Sequence, residues 1–560
     1  MRPFYIGLNM AGAVSAGAYT AGVVDFLIDA LDSFYAEKAR QRQLFGEDYS
    51  KWTIPPHDVK LAVMSGASAG GITAAVAAAA LCEEFTPASS RMPATAPNRL
   101  YRAWVQDIDI MSLMGTRDLA RAGAPVTSLL DSTPLDDIAA EVLKVGNPRE
   151  KRPWVADPLK LVLTVTNLGG IPYAIEAGDG SAETQTLYHA DQADFELRWA
   201  PGTPEGSALG LSPYSAENWP ALGEVAKATS AFPMALAPRV LKRSAGIYNN
   251  RRWRISVSDP KPADGECRCE TDTKLKPNWD AEDTKQFETL NVDGGVTNNN
   301  PFACAHQELC LQDPLQAAGH NPRSGAEADR AVVNIAPFLT DPTFLIDKPR
   351  ATDLFSVLGA LVDTVVNQSR IQGENIKLTE DPSVFSRFAI APSIDSKDVD
   401  ALASASLSAF GGFLAQEFRD HDYQLGRRNC QRFLQAHFCV PFGNVVLGQY
   451  DLNAATVDRF STVLDNGTTG LPLIPLVQDR LRTEIREVRS TIKAERLGPV
   501  ADAAILRLRA VADRLLMGGE LGWLRETVVN GILRIEHGRL RKALAGKIER
   551  ELRVKGLLSV

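Results

Sequence analysis

Between Leu61 and Cys82 the chain carries no charged side chain, and Ser65-Gly66-Ala67-Ser68-Ala69-Gly70-Gly71 interrupts this apolar run. The run is long enough for a membrane span of about 20 residues. Its glycines and serines break helical continuity, however, and the apolar helix left after them is too short to cross a bilayer. No other stretch is expected to approach a span. The pattern predicts a buried strand over Val59 to Met64, a sharp turn, and an alanine-rich helix from Ile72 to Leu81.

Strand, Gly-x-Ser-x-Gly, helix is the context of a nucleophile elbow. Gly66 and Gly70 let backbones pass closely, which leaves Ser68 on a tight, strained turn. The helix N-terminus then directs unpaired N–H groups and a positive dipole end to where an oxyanion would form. The plain alternative is a glycine-serine turn without chemistry.

A second signal is Asn291-Val292-Asp293-Gly294-Gly295, followed by Asn298-Asn299-Asn300-Pro301. It reads as a strand end, a forced turn and a loop. An aspartate there, flanked by glycines, can meet another loop closely and act as a base; its alternative is an Asx-turn. A third signal is the N-terminus, where a strand around Ile6 to Met10 runs into Gly12-Ala13-Val14-Ser15-Ala16-Gly17 and a helix from about Ala18. Such a turn can direct backbone N–H groups at an anion. It has neither the Walker lysine nor Gly-x-Gly-x-x-Gly spacing, so no nucleotide fingerprint is supported.

In this order the three segments resemble the patatin-like family of serine acyl hydrolases. A fourth echo is Ala228-Thr229-Ser230-Ala231-Phe232-Pro233, and the resemblance covers residues 4 to 340. It implies an α/β fold with a mixed, mainly parallel sheet sandwiched by helices. It also implies a Ser-Asp dyad of Ser68 and Asp293, with Gly66, Gly70, Gly294 and Gly295 as motif glycines. Backbone N–H groups of Gly12, Ala13 and Val14 would form the oxyanion hole. The family's loop is usually Gly-Gly-Gly-x-Arg-Gly. Here two glycines and the arginine are missing, which leaves loop geometry and rate open, because a β-branched Val14 tolerates few unusual φ values.

The implied reaction is hydrolysis of phospholipid or other glycerolipid esters, of phospholipase A type, through an acyl-serine. It needs no cofactor and no metal. The other readings are a soluble esterase or acyltransferase using the same dyad, and an inactive scaffold or effector. A Ser-His-Asp triad is the rival mechanism, since His306 and later histidines follow the required chain order. None of the seven histidines occupies a recognisable strand-end loop.

Composition sets the outer bounds. A chain of 560 residues has ample length for a core and for two or more structural units. A net charge of −8 argues against nucleic acid as partner. Seven scattered cysteines are not a disulfide framework, and Cys267-Arg268-Cys269 lacks a second pair at zinc spacing. Met1-Arg2-Pro3-Phe4 enters a strand at once, so a cytoplasmic protein is expected, with a membrane surface as a working site.

Residues 1–345 alternate strand and helix patterns and are expected to form the catalytic domain. Residues 346–560 are expected to form a mainly helical region packed on it, including helical spacing over Phe355 to Ile376. Two polar stretches, 178–222 and 259–286, are expected as surface inserts, with a lid flanking the active-site mouth as the alternative. Asp420 to Cys430 precedes another helical stretch, and its Asp422-Tyr423-Gln424-Leu425-Gly426-Arg427 resembles a segment of large bacterial members of the patatin-like family, which implies that the region packs on the catalytic core. From Arg534 to Lys555, eight basic residues face three acidic ones along an amphipathic helix. Its apolar stripe either packs on its own domain or rests on anionic lipid as a peripheral membrane contact. Nothing in the chain fixes an oligomeric state.

Overall fold

The computed structural model describes residues 1–559 apart from 90–97, 122, 124, 177–182, 258–267, 273–274, 312–319, 395–400, 408, 465, 482–483, 485–489 and 516–536. Within 339–377 it describes 357, 364, 368 and 369. The expected helix over 355–376, the cysteine pair at 267 and 269, and the start of the basic stretch at 534–536 therefore lie wholly or partly outside the described residues.

The N-terminal half contains β1 (Phe4–Met10), α1 (Gly17–Phe45), β2 (Val59–Gly66), α2 (Ala69–Leu81), α3 (Thr133–Val142), β3 (Val155–Glu176), β4 (Glu183–Leu197) and β5 (Leu209–Leu211). Then come α4 (Trp219–Thr229), β6 (Arg239–Ser244), β7 (Gln286–Asp293), α5 (Phe302–Leu311), β8 (Arg330–Ile335) and β9 (Arg387–Ile390). The C-terminal helices are α6 (Gln416–Ala436), α7 (Leu497–Leu515) and α8 (His537–Val554).

One nine-stranded sheet runs in the order β9-β8-β1-β2-β3-β4-β5, with β7 on β3 and β6 on β7. From β9 to β3 every pairing is parallel. β4 and β7 run antiparallel to β3, and β6 antiparallel to β7. This is the mixed, mainly parallel sheet expected. β1, β2 and β8 are buried almost throughout, as parallel strands covered on both faces should be. Alanines let α2 pack closely on all sides; of its residues Ile72 alone is less than buried.

Two expectations need correction. The stretch from Val14 to Phe45 is in fact long and apolar enough to cross a membrane by length and composition. Its apolar window is 94% buried within the protein, which identifies it here as a core helix. The polar stretch 178–222 is not an insert outside the sheet, since it supplies β4 and β5. β4 looks polar because its first half, Thr184 to His189, is exposed at every position while it pairs with the 22-residue β3.

Residues beyond 345 join the same body. β9 extends the central sheet, and α6 lies along α1. The crossing is close because a Cβ on Gly22 would collide with the Tyr423 carbonyl, and one on Gly426 with the Tyr19 carbonyl. The Tyr423 hydroxyl donates to Asp25 at 2.7 Å. The buried Arg427 pairs with Asp25, with Asp29 at 3.3 Å and with Glu484 at 3.2 Å. Short strands Cys439–Pro441, Thr462–Val463 and Thr469–Pro472 add a small antiparallel sheet that the sequence did not suggest. On α8, Ile548 and Leu552 pack with Ala403, Phe418, Leu497 and Leu557, so its apolar stripe is covered by the protein itself.

Candidate active site

β2 ends at Gly66, and two residues later Ser68 caps α2 with φ +52° and ψ −126°. A non-glycine residue is strained there, and such strain persists only where the surroundings over-determine it. The glycines permit it. A Cβ on Gly66 would stand 2.5 Å from the Gly70 carbonyl oxygen, and one on Gly70 would collide with the Met10 carbonyl.

Sheet register brings the aspartate to this turn. Gly66 is paired with Leu163 of β3, and Asp293, the last residue of β7, with Val165 two positions along the same strand. Ser68 Oγ donates to Asp293 Oδ2 at 2.7 Å, and the Gly295 N–H donates to Asp293 Oδ1 at 2.6 Å. Burial pushes the Asp293 carboxyl up to about 7, against the lowering effect of these two hydrogen bonds. Gly294 lies so close to the Thr164 carbonyl that a Cβ would clash with it.

Thr229 ties the two loops together, a role the motif alone did not reveal. Its hydroxyl accepts the Ser68 N–H at 2.9 Å, and its carbonyl accepts the Gly294 N–H at 3.0 Å. The Ala231 carbonyl accepts the Asp293 N–H at 2.9 Å, and the Thr166 hydroxyl donates to the Asp293 carbonyl at 2.9 Å.

The N-terminal turn lies against the same serine. Gly12 packs so closely on Asn299 and Ser68 that a Cβ would collide with the Asn299 side chain. The Gly12 N–H donates to the Asn299 carbonyl at 2.9 Å, which removes it from the expected set of free oxyanion donors. Among the described residues, no group accepts from the amides of Ala13, Val14 or Ala69, the last being the first residue of α2. Val14 has φ +48°, so the loop keeps a left-handed turn without the glycine usual at that position. Behind it, buried Asn9 donates to Asn334 at 2.7 Å and accepts from Ser65 at 2.8 Å, tying the ends of β1, β8 and β2 together.

A narrow apolar cavity of about 50 Å³ lies along α2, lined by Ile72, Val76, Trp104, Leu135, Ile138 and Leu143 among others. Ile72 is one helical turn beyond Ser68. Leu135, Ile138 and Val14 all pack against one apolar cluster that includes Ile108, which also lines the cavity.

Among the described residues no histidine hydrogen-bonds to Ser68 or Asp293. His57 meets the Leu473 carbonyl at 2.8 Å, His189 the Asn167 carbonyl at 2.8 Å, and His421 the Asp422 carboxylate at 3.0 Å. Nor, among those residues, does any group of three His, Cys, Asp or Glu side chains form a candidate metal site.

Comparison with known proteins gives two results. The family model for patatin-like phospholipases matches residues 8–306, a span that includes Ser68, Thr229 and Asp293. The uncharacterized protein y4iI of Sinorhizobium fredii is 33% identical over 565 residues, covering 92% of this chain and 76% of that protein.

Proposed function

This chain belongs to the patatin-like phospholipase family, and on that premise we propose that it is a serine acyl hydrolase working through a Ser68–Asp293 dyad on lipid esters. The observation that carries the reading is the 2.7 Å hydrogen bond from Ser68 Oγ to Asp293 Oδ2, made by a serine on a strained turn.

Asp293 accepts the Ser68 proton as Oγ attacks the ester carbonyl carbon. Negative charge moves onto the carbonyl oxygen, where the amides of Ala13, Val14 and Ala69 supply donors. Losing one such donor typically costs about 3 kcal/mol of transition-state stabilisation. Collapse of the tetrahedral intermediate breaks the ester C–O bond, and the proton held by Asp293 goes to the departing alcohol or lysolipid. Water then attacks the acyl-serine with Asp293 as base, releasing a fatty acid and restoring Ser68.

The apolar cavity supports a hydrocarbon acyl group, and its small volume favours a short chain or the first methylenes of a longer one. That volume also favours the second reading, a soluble short-chain ester as substrate. The catalytic groups lie within 1–345, with 346–560 as the mainly helical brace. We place the protein in the cytoplasm, with any membrane contact peripheral.

Acyl release from mixed phospholipid vesicles and from soluble short-chain esters separates the readings. Release from vesicles, lost in Ser68→Ala, supports the lipid substrate. Release from soluble esters alone supports the second reading, and release from neither overturns both.

A further inference from the structure

Val14 holds φ +48° although it is β-branched, so something outside the turn must fix it. The residue next to it is Ser15, fully buried, and its partners come from nearly 400 residues downstream. Its N–H donates to the Ala409 carbonyl at 3.2 Å, and its hydroxyl donates to the same carbonyl. The same hydroxyl accepts the Gly412 N–H at 3.0 Å.

The segment holding Ser15 is itself tightly fixed. Leu407 and Ala409 both have positive φ, +52° and +72°. The Leu407 N–H donates to the Glu551 carboxylate of α8. Asp422 of α6 accepts the N–H groups of Ala403 at 2.8 Å and Ser404 at 3.0 Å. Arg419 donates to the Gly412 carbonyl at 3.0 Å. Phe410 packs edge-on against Phe232 at 6.2 Å, in the turn that follows Thr229 at the end of α4.

We infer that Ser15 is a positioning residue that holds the amides of Ala13 and Val14 in place through Ala409 and Gly412, which makes those two C-terminal residues part of the working site. The inference rests on the acyl-hydrolase reading. It assigns the C-terminal region a task beyond bracing, because a turn lacking the usual glycines borrows its rigidity from a distant segment. Losing the Ser15 hydroxyl frees the turn to leave its left-handed conformation, and the oxyanion donors lose their aim. Substrate binding, which does not use these amides, is unaffected.

The test uses the full chain with a soluble ester and a serine-directed fluorophosphonate, on Ser15→Ala and on Gly412→Ala. A Cβ on Gly412 would stand 2.7 Å from Ser15 Oγ, so the second variant displaces the same hydroxyl from the far side. We expect kcat and the labelling rate to fall 10- to 100-fold in either variant that folds, with KM within twofold of the parent. The double variant should lose no more than the worse single one. Folded variants with kcat and labelling within twofold of the parent overturn the inference, as does a loss carried by KM. A parent that neither hydrolyses esters nor labels overturns the acyl-hydrolase reading itself.

Discussion

The Thr229 hydroxyl accepts the Ser68 N–H at 2.9 Å while the Thr229 carbonyl accepts the Gly294 N–H at 3.0 Å, so one residue sets the spacing of serine and aspartate. Thr229→Val keeps the shape, including the methyl packed on Gly71, but leaves a buried amide without its acceptor. A buried unsatisfied group costs about 1–3 kcal/mol. We predict a lower melting temperature and a kcat reduced about tenfold, since about 1.4 kcal/mol is a factor of ten in rate. Steady-state kinetics beside a thermal melt checks both.

The pH profile follows from burial of Asp293. In the proposed mechanism Asp293 acts as base only when ionised, and burial pushes its pKa up to about 7. Activity should therefore rise with pH through about 7, falling about tenfold for each unit below it, and level off above. A profile already flat at pH 5 would mean that the carboxyl is held near its ordinary value.

The same burial sets a stability trend. The folded pKa of Asp293 lies above its unfolded value, so the folded state binds the extra proton between pH 3.8 and about 7. Stability from this group is complete below pH 3.8 and is lost as pH rises through about 7. Asp293→Asn removes the titration while keeping an acceptor oxygen for the Gly295 N–H, its NH2 then donating to Ser68 Oγ. Its melting temperature relative to the parent should increase from pH 4 to pH 8, with activity abolished.

The cavity along α2, which begins one helical turn beyond Ser68 at Ile72, predicts acyl preference. Ile138 and Leu143 line it from α3 and from just beyond that helix. Ile138→Ala enlarges the cavity, and because Ile138 is only partly buried the stability cost should lie below the roughly 2–5 kcal/mol of a fully buried isoleucine. The ratio of kcat/KM for an eight-carbon over a four-carbon acyl ester should rise several-fold. An unchanged ratio would place the acyl chain elsewhere.

Much of the site was legible because its chemistry is local. Strand, turn and helix around Ser68 lie within 25 residues, and Asp293 announces itself by a strand end and two glycines. What was not legible depends on tertiary approach. Gly12 reads as a free donor until the fold places the Asn299 carbonyl against it. Ser15 and Ala409 carry no motif, and their bond exists only because the C-terminal segment folds back onto the turn. β4 reads as a polar insert because Thr184 to His189 are exposed at every position, which resembles a loop once the pairing with β3 is unknown. α1 passes for a membrane span, and only its contacts with the sheet and α6 show what covers it.

The most direct test of the dyad is intact and peptide mass spectrometry after brief exposure of the full chain to a fluorophosphonate, at pH 8 and at pH 5. The account predicts one adduct, on Ser68, formed faster at pH 8 and lost in Asp293→Asn. An adduct on another residue, or undiminished labelling of Ser68 in Asp293→Asn, would contradict it.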